Sequence, residues 1–539
     1  MKLIEFFNKE LDISKGTIIF MATVSGIASA SLLATINTAA ESASNNESLT
    51  RLFFLYMTLF VLFLYAERYA LSRVAAAIEK AIRNVRIRVA NKIRFSELRF
   101  IENIGYSTIY VRLTQDANLI SQTAFLLVMA AQSVVVVIFS LFYIAWLSPL
   151  SFVMTVVFLS LGVFLYLGIE EEIEKDLHLT TQKETEFFDT LNHVLGGFKE
   201  IKINQRKNND LFQHVKDISV ETYKLKVKSS QQIVTSVMYS AMVSYLLLAL
   251  IVFIMPELSK THPAVVLKLT AAILFIIGPV GTIAGSLPTL IRTNVAVINI
   301  YNLEAEIDAE VRSVYKSQTI HVPENFEQIV LKDVTFHYTD EKGYGLFSIS
   351  PINLTIKQGE TLFIVGGNGS GKSTLLKLLT GLYYPATGHI YLDGDILDKT
   401  NYQDYRELFS IIFSDFHMFD RLYGLANFDE RQLTSLLKTM DLNKKTRYTE
   451  GKFTNIALST GQRKRLALIT TLLEDKPIYV LDEWAADQDP SFRKYFYEVI
   501  LEELKAQGKT IIAATHDDKY FDVADRILKM DYGKIVDWS

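Results

Sequence analysis

Six long apolar runs, separated by polar segments, occupy the first 310 residues of this chain. A helix needs about 20 apolar residues to cross the ~30 Å hydrocarbon core of a bilayer, and each run has that length. The predicted spans are Thr17–Ala40, Leu52–Leu71, Leu119–Trp146, Leu150–Ile169, Ile233–Met255 and Val265–Ile291. The pattern therefore predicts an all-α transmembrane domain with six helices over residues 1–310.

Two long polar segments, 72–118 and 170–232, follow the second and fourth runs and keep a helical periodicity. The first of them is rich in basic residues, whereas the short links between the other runs carry almost none. Its basic residues are Arg73, Lys80, Arg83, Arg86, Arg88, Lys92, Arg94 and Arg99. Because basic residues concentrate in cytoplasmic loops, both segments are predicted to extend into the cytoplasm as helical stalks. Both termini are then expected on the cytoplasmic side.

The pattern changes after a charged connector at residues 311–327. From residue 328 to residue 539, short apolar strands alternate with helical stretches, which is typical of a parallel α/β sheet. The predicted strands include Ile329–Val334, Thr361–Val365, Ile478–Leu481 and Thr510–Ala514. The second half of the chain is therefore predicted to be a separate α/β domain.

Composition supports lipid contact, because 50% of the residues are hydrophobic and the mean hydropathy is +0.20. The net charge of −4 provides no basic field, so nucleic acid is not an expected partner. The 539 residues contain no cysteine, which excludes disulfides, thiolate metal sites and a cysteine nucleophile in this chain.

A glycine-rich segment, GGNGSGKS at residues 366–373, matches the phosphate-loop pattern at every fixed position. A predicted strand precedes it, and a predicted helix, Ser373–Thr380, follows it and is ended by Gly381. In such loops, backbone N–H groups and a helix N-terminus face the phosphates of a nucleotide. The predicted ATP-binding residues are Gly366, Gly367, Asn368, Gly369, Ser370, Gly371, Lys372, Ser373 and Thr374. Lys372 is expected to contact the β- and γ-phosphates, and the Ser373 hydroxyl to bind Mg²⁺, which makes this half an α/β P-loop NTPase domain.

The predicted strand Ile478–Leu481 ends in two acidic residues, Asp482 and Glu483. If one face of this strand is buried beside the phosphate loop, Asp482 lies near the Mg²⁺ ion. Glu483 then lies within reach of a water molecule at the γ-phosphate. We therefore predict Asp482 as a metal ligand and Glu483 as a catalytic residue.

Between these two motifs lies LSTGQ, residues 458–462, which closely resembles the signature sequence of ATP-binding-cassette (ABC) ATPases. Thr460 stands where that family usually has glycine. The resemblance covers about Ile329–Met530, and its motifs occur in the family's order. It implies that four residues contact ATP through the signature sequence: Ser459, Thr460, Gly461 and Gln462.

Three further residues match positions with known roles in that family. The resemblance implies that Tyr338 stacks on adenine, that Asp489 is the D-loop aspartate, and that His516 contacts the γ-phosphate. His516, Glu483 and Lys372 are thus the expected catalytic residues, and we predict an active ATPase.

One position departs from the family pattern. Ser414 aligns with a glutamine that normally contacts Mg²⁺, and a serine side chain is shorter. Ser414 therefore joins Ser373 and Asp482 as a candidate metal ligand, with Asp415 or a water molecule as the alternative.

Six spans preceding one cassette on the same chain resemble the ABC exporter fold. Residues 106–122 and 196–204 resemble the two cytoplasmic stretches of exporters, so the turns near 100–105 and 205–215 are expected to dock on a cassette. In the family, the signature sequence of one cassette completes the phosphate loop of another. The resemblance therefore implies a homodimer that binds two ATP molecules.

Two short segments indicate a branch of the family. DEWAADQDP (482–490) and FSDFH (413–417) are similar to bacterial exporters of cyclic or non-ribosomal peptides, including pyoverdine-, syringomycin- and microcin-type systems. This resemblance implies a peptide-like cargo and a location in the bacterial inner membrane, in contact with lipid, with the ATPase in the cytoplasm. The alternatives are a lipid or broad multidrug exporter, and a membrane-tethered sensory ATPase that moves no cargo.

Two charged residues interrupt the second predicted span. Glu67 and Arg68 are candidates for contact with cargo, since charges inside a span are costly and usually face a cavity. The alternative is that both side chains extend to the edge of the inner leaflet.

Overall fold

The structure of the protein is a computed structural model. It describes residues 2–11, 15–259, 263–310, 326–339, 344–398, 401–425 and 428–536. The chain forms two compact units. The helical unit contains Met1–Arg94 and Ile104–Asp308, and the cassette unit contains Phe95–Asn103 and Ala309–Ser539. Most of the predicted connector, residues 311–325, lies outside the described residues.

The helical unit consists of long helices joined by short turns. The helices up to residue 310, including α4 in the loop that reaches the cassette unit, are α1 (Lys2–Glu10), α2 (Lys15–Ser44), α3 (Thr50–Arg94), α4 (Leu98–Ile104), α5 (Tyr106–Val111), α6 (Ala117–Leu147), α7 (Pro149–Gly196), α8 (Phe198–Ile203), α9 (Gln205–Ala249), α10 (Met255–Ser259) and α11 (Pro263–Glu310). Among the described residues, six helical segments are long and apolar enough to cross a membrane. The predicted number of spans is confirmed.

Helices α3, α7, α9 and α11 continue well beyond their apolar runs. A helix of the length of α7, 48 residues, is about 70 Å long at 1.5 Å per residue, more than twice the ~30 Å hydrocarbon core. In the polar part of α3, apolar residues recur every three or four positions and are buried, among them Val74, Ile78, Val85 and Val89. The predicted helical character of both polar segments is confirmed.

The two charged residues of the second span differ in their surroundings. Glu67 is half-buried and hydrogen-bonded to Gln132. The Gln132 amide in turn donates to the Ser25 hydroxyl at 3.0 Å. Arg68 is exposed. Glu67 therefore faces neighbouring helices of the helical unit, whereas Arg68 does not.

The cassette unit contains two larger sheets and several short helices. Its elements are β1 (Gln328–Thr339), β2 (Gly345–Lys357), β3 (Thr361–Val365), α12 (Lys372–Leu379), β4 (Thr387–Leu392), β5 (Asp395–Ile396), α13 (Tyr402–Arg406), β6 (Phe409–Ile412), α14 (Glu430–Thr439), β7 (Tyr448–Thr449), β8 (Lys452–Phe453), α15 (Thr460–Glu474), β9 (Ile478–Asp482), α16 (Pro490–Tyr495), α17 (Leu501–Ala506), β10 (Thr510–Ala514), β11 (Arg526–Asp531) and β12 (Lys534–Val536). An antiparallel sheet has the order β2-β1-β4-β5.

The larger sheet has the order β12-β11-β3-β10-β9-β6, and all its pairs except β11–β12 are parallel. Every residue of β3, β9 and β10 is buried. Such two-sided burial is typical of parallel strands covered by helices on both faces. The predicted parallel α/β sheet is confirmed, and the carboxyl ends of β3, β10, β9 and β6 share one edge.

Strand β10 lies between β3 and β9 and pairs with both, an order that the sequence does not indicate. One predicted strand bound was wrong. Strand β1 continues to Thr339 rather than ending at Val334, past an irregularity in its pairing where Asp333 adopts φ +50°. The longer β1 carries Tyr338 within the antiparallel sheet.

Candidate active site

The phosphate loop takes a backbone course that requires glycine at several positions. Gly366, Gly369 and Gly371 have φ values of +151°, +76° and +103°. A Cβ atom at Gly366 would lie 2.2 Å from the carbonyl oxygen of Met530 on β11. No other residue fits there without moving the backbone, so the loop is held tightly against the sheet.

Helix α12 follows this loop and begins and ends one residue before the predicted bounds. Gly381 adopts φ +68° after the C-cap Thr380. The Gly381 N–H donates to the Leu378 carbonyl at 3.0 Å, and the Leu382 N–H donates to the Lys377 carbonyl at 2.9 Å. This pair of bonds is the glycine-based helix ending that the sequence predicts.

Lys372 is 5% exposed, and its amine lies within the loop. The Nζ atom donates to the carbonyl oxygens of Gly366 and Gly367 at 3.0 and 3.2 Å. It also lies 3.1 Å from His516 Nε2 and 3.5 Å from Glu483 Oε1. The structure thus brings the three predicted catalytic residues together around one cationic group.

Glu483, Lys372 and His516 form a triangle, in which His516 Nε2 lies 3.2 Å from Glu483 Oε1. One ring nitrogen either accepts a hydrogen bond from Lys372 or donates one to Glu483, because it has one lone pair or one proton. In either state the Glu483 carboxylate has a positively charged group within 3.5 Å. The triangle therefore places a carboxylate, an imidazole and an amine within 3.5 Å of one another at the phosphate loop.

Asp482 is 1% exposed at the end of β9, and its Oδ2 atom accepts a hydrogen bond from the Ser373 hydroxyl at 2.8 Å. Its other oxygen, Oδ1, is buried and has no hydrogen-bond partner among the described residues. A buried carboxylate oxygen without a partner is costly. Carboxylate and hydroxyl oxygens are ligands that Mg²⁺ prefers, so Ser373 and Asp482 fit that ion.

The third predicted metal ligand lies on the next strand of the sheet. Ser414 is exposed in a turn that follows β6, closed by a hydrogen bond from the Phe416 N–H to the Phe413 carbonyl. Strand β6 pairs with β9, and Ile412 is opposite Leu481. Ser414 and Asp415 therefore lie on the same edge of the sheet as Asp482, and both are exposed.

Tyr338 lies on β1 in a cluster of aromatic rings. Its hydroxyl is 3.2 Å from the Tyr383 hydroxyl and 3.4 Å from Thr374 Oγ1 on α12. Phe336 meets the Tyr338 ring edge-on at 5.1 Å and stacks on Tyr383 at 4.8 Å. The ring predicted to hold adenine is therefore oriented by its neighbours and remains half-exposed.

The signature residues begin α15. Ser459 is the N-cap, and it forms a reciprocal capping box with Gln462. Thr460 is exposed, so a side chain is accommodated where the family usually has glycine. Gly461 is different, because a Cβ atom there would lie 2.6 Å from the Asp487 carbonyl oxygen. Of the two positions, only residue 461 requires glycine.

Asp489 caps helix α16 by accepting a hydrogen bond from the Phe492 N–H at 2.9 Å, and it also pairs with Arg465 of α15. The Phe492 amide and the Arg465 guanidinium hold the pKa of Asp489 below its usual value. Arg465 also donates to Gln488 at 2.8 Å, and Gln488 donates to the Gly461 carbonyl at 3.1 Å. The D-loop and the signature helix are therefore joined within one chain.

The sequence interpretation missed two residues near Glu483. Lys464 is 4% exposed and donates to the Glu483 carbonyl at 2.7 Å, and Trp484 is 1% exposed and donates from Nε1 to the Lys464 carbonyl at 2.9 Å. In the sequence, Trp484 stands out only as part of segment 482–490, which resembles one branch of the family. The available signal for Lys464 was a charged residue at an apolar position of α15.

Residues 95–103 belong to the cassette unit although they lie between helices of the other unit. Glu102 accepts hydrogen bonds from Tyr383 at 2.5 Å and from Lys377 of α12 at 2.9 Å. Burial and the bond to Glu102 raise the pKa of Tyr383 well above its usual value, so the phenol stays protonated. Arg99 lies over the Phe336 ring at 5.4 Å. The segment near the predicted docking turn thus contacts the aromatic cluster around Tyr338.

Comparison with known proteins agrees with this geometry. The profile of the family described as "ABC transporter" matches residues 349–486. Over 532 residues the chain is 34% identical to the ATP-binding protein SyrD of Pseudomonas syringae pv. syringae, which covers 95% of this chain and 92% of SyrD. The chain belongs to the ABC transporter family. Both halves of the chain take part in the match, so the membership extends beyond the cassette.

The fold of this ABC transporter is similar to a solved bacterial Atm1-family ABC exporter with ATP bound. The TM-score is 0.80 at 17% identity, and the match covers 96% of this chain and 93% of the exporter. A further relative is the ATP-dependent lipid A-core flippase of Ralstonia nicotianae, 30% identical over 40% of this chain and 38% of the flippase. The chain is an ABC transporter with the fold of an exporter half-transporter, a multi-pass membrane protein whose cassette binds ATP and couples its hydrolysis to transport.

Proposed function

We propose that this ABC exporter acts as a homodimer in the bacterial inner membrane and exports a peptide-like molecule, a cyclic or non-ribosomal peptide or siderophore. Its cassettes and both termini then lie in the cytoplasm. The observation that carries the proposal is the match to SyrD across both halves of the chain, 95% of its length. The resemblance of segments 413–417 and 482–490 to peptide exporters supports the cargo class.

The proposed roles of the site residues follow from their positions. Tyr338 presents its half-exposed ring to adenine, while Lys372 and the N–H groups of the phosphate loop bind the phosphates. Ser373 and Asp482 bind Mg²⁺, which neutralises phosphate charge when present. Glu483 accepts the proton of the attacking water, and His516 contacts the γ-phosphate.

A homodimer is supported by the composition of the site. Each chain carries one phosphate loop and one signature sequence, and Ser459 and Thr460 are exposed at the start of α15. In our proposal these two residues, with Gly461 and Gln462, complete the ATP site of the partner subunit. In the same proposal Asp489, which pairs with Arg465 of α15, lies at this interface.

The cargo proposal predicts selective stimulation of ATP hydrolysis. A compact peptide enters a binding cavity with little loss of conformational freedom, whereas its linear form must be ordered first. We expect a matured cyclic peptide to stimulate the ATPase of the reconstituted exporter several-fold more than its linearised form or added phospholipid. Uptake of labelled peptide into inside-out proteoliposomes measures transport directly.

The same vesicles separate the alternatives. The similarity to the lipid A-core flippase of Ralstonia nicotianae makes lipid the second cargo to test. Equal or stronger stimulation by lipid, with lipid flipping, would move the assignment to a lipid exporter. Stimulation without movement of any cargo would indicate a sensory ATPase.

Ser414 stands where the family usually has a glutamine, and its shorter side chain is expected to coordinate Mg²⁺ less well. The site should therefore bind Mg²⁺ more weakly. As Mg²⁺ is removed, the natural protein is expected to lose ATPase activity at a higher Mg²⁺ concentration than a Ser414→Gln variant. The reason is that the longer glutamine side chain reaches toward Asp482. A Mg²⁺ titration at fixed ATP measures this shift. Thr434→Gln is the control, because Thr434 is an exposed residue of α14. Superimposable curves would show that another group already fills the position.

A further inference from the structure

Lys464 is a buried lysine in the middle of the cassette, one turn after the signature residues on α15. Its Nζ atom donates to the Glu483 carbonyl oxygen at 2.7 Å and pairs with Asp487 Oδ2, also at 2.7 Å. Burying an ammonium group is costly, and an ion pair with a side chain that is 46% exposed, as Asp487 is, adds little stability in return. A gain in stability therefore does not account for a lysine at this position.

The residue that Lys464 contacts has an unusual backbone. Glu483 adopts φ +50° and ψ +36°, a left-handed conformation that costs of order 1 kcal/mol for a residue other than glycine. Its N–H donates to the Ala514 carbonyl of β10 at 3.0 Å, and its carbonyl accepts from Lys464. Hydrogen bonds thus hold the backbone of Glu483 on both sides of the side chain.

Helix α15 and the segment from Glu483 to Asp487 are also joined by contacts of Trp484 and Gly461. Trp484 donates from its indole to the Lys464 carbonyl at 2.9 Å and packs against Phe496, with the ring centroids 4.3 Å apart. Gly461 approaches the Asp487 carbonyl so closely that a Cβ atom would not fit. Helix α15 and the segment from Glu483 to Asp487 are therefore fixed to each other.

From these contacts we infer that Lys464 is a positioning residue for Glu483. It maintains the left-handed backbone that directs the Glu483 carboxylate toward His516 and Lys372, and it does so from the helix that carries the signature residues. The inference rests on the proposed role of Glu483 in hydrolysis. In a homodimer, a shift of α15 on contact with the partner's ATP would pass through Lys464 to this carboxylate.

The test compares Lys464→Met, which keeps the length but has no donor, with Lys464→Gln, which keeps one shorter donor. A small displacement of a catalytic group costs up to about 100-fold in rate. We expect basal kcat to fall about 10- to 100-fold in Lys464→Met and less in Lys464→Gln. The KM for ATP is expected to stay within about two-fold, because the contacts of the phosphate loop are unchanged.

Lys505→Met is the matched control, since Lys505 pairs with Asp525 in an exposed ion pair on the same unit. It is expected to keep the natural kcat. Natural kcat in both Lys464 variants, or a loss of kcat with an equal rise in KM, would overturn the inference. If Lys464→Met does not fold, the same two readings on Lys464→Gln decide. Natural kcat in the Lys464 variants together with loss of activity in Glu483→Gln would refute this inference alone and leave the proposed function standing.

Discussion

Glu483→Gln is expected to lower steady-state ATP hydrolysis by at least about 100-fold, because the amide cannot accept a proton from the attacking water. Glutamine has nearly the same shape and can still accept a hydrogen bond from His516, which lies 3.2 Å from the carboxylate. The variant loses the charge attraction between Glu483 and Lys372, but the hydrogen bonds of Lys372 to the Gly366 and Gly367 carbonyls and the Ser373–Asp482 pair do not involve residue 483. Affinity for ATP should therefore stay close to that of the natural protein.

Two measurements on the reconstituted full chain check this expectation. Phosphate release gives the turnover rate, and labelled ATP that remains bound after rapid desalting gives the occluded fraction, which should rise in the variant. Glu502→Gln, the same change at an exposed position of α17, is the control and should keep its activity. Hydrolysis near the natural rate in Glu483→Gln would refute the assignment of Glu483.

Trp484→Ala is expected to destabilise the cassette by about 3–5 kcal/mol, since removing a large buried aromatic side chain leaves a cavity. The indole is 1% exposed and packs against Phe492 and Phe496. For a unit of this size, 1 kcal/mol corresponds to roughly 2–4 °C, so the thermal transition of the cassette should fall by about 10 °C. Differential scanning calorimetry at a fixed scan rate measures the fall.

Two further variants identify the cause. Trp484→Phe keeps most of the packing but loses the indole hydrogen bond to the Lys464 carbonyl, at a cost of about 1 kcal/mol, so its transition should fall by less. Trp146→Ala makes the same change at a side chain that is 81% exposed, and it should leave the cassette transition in place. Equal transitions for Trp484→Ala and the natural protein would contradict the packing argument.

Several features of the site could be predicted from the sequence because they depend on neighbours in the chain. The phosphate loop needs glycines at positive φ directly before a helix, and both requirements are met within residues 366–381. The capping box of Ser459 and Gln462 is likewise local. Membrane spans follow from the length of an apolar run alone.

The order of the strands could not be predicted in this way. The apolar runs of β3, β9 and β10 are alike, and each is buried at every position, so their patterns do not state which strands pair. The position of β10 between β3 and β9 is therefore decided by tertiary packing. Asp482 at the end of β9 nevertheless accepts a hydrogen bond from Ser373 in the first turn of α12.

The sequence by itself determined that this protein has six spans, a parallel α/β domain and a phosphate loop, because length, periodicity and glycine placement are properties of short segments. Only the tertiary structure decided that β10 separates β3 from β9, that Lys372, Glu483 and His516 form one triangle, and that Lys464 holds the backbone of Glu483. Lys464 and Glu483 are 19 residues apart and on different elements. Their contact depends on the packing of α15 against the end of β9, and no local pattern specifies such packing.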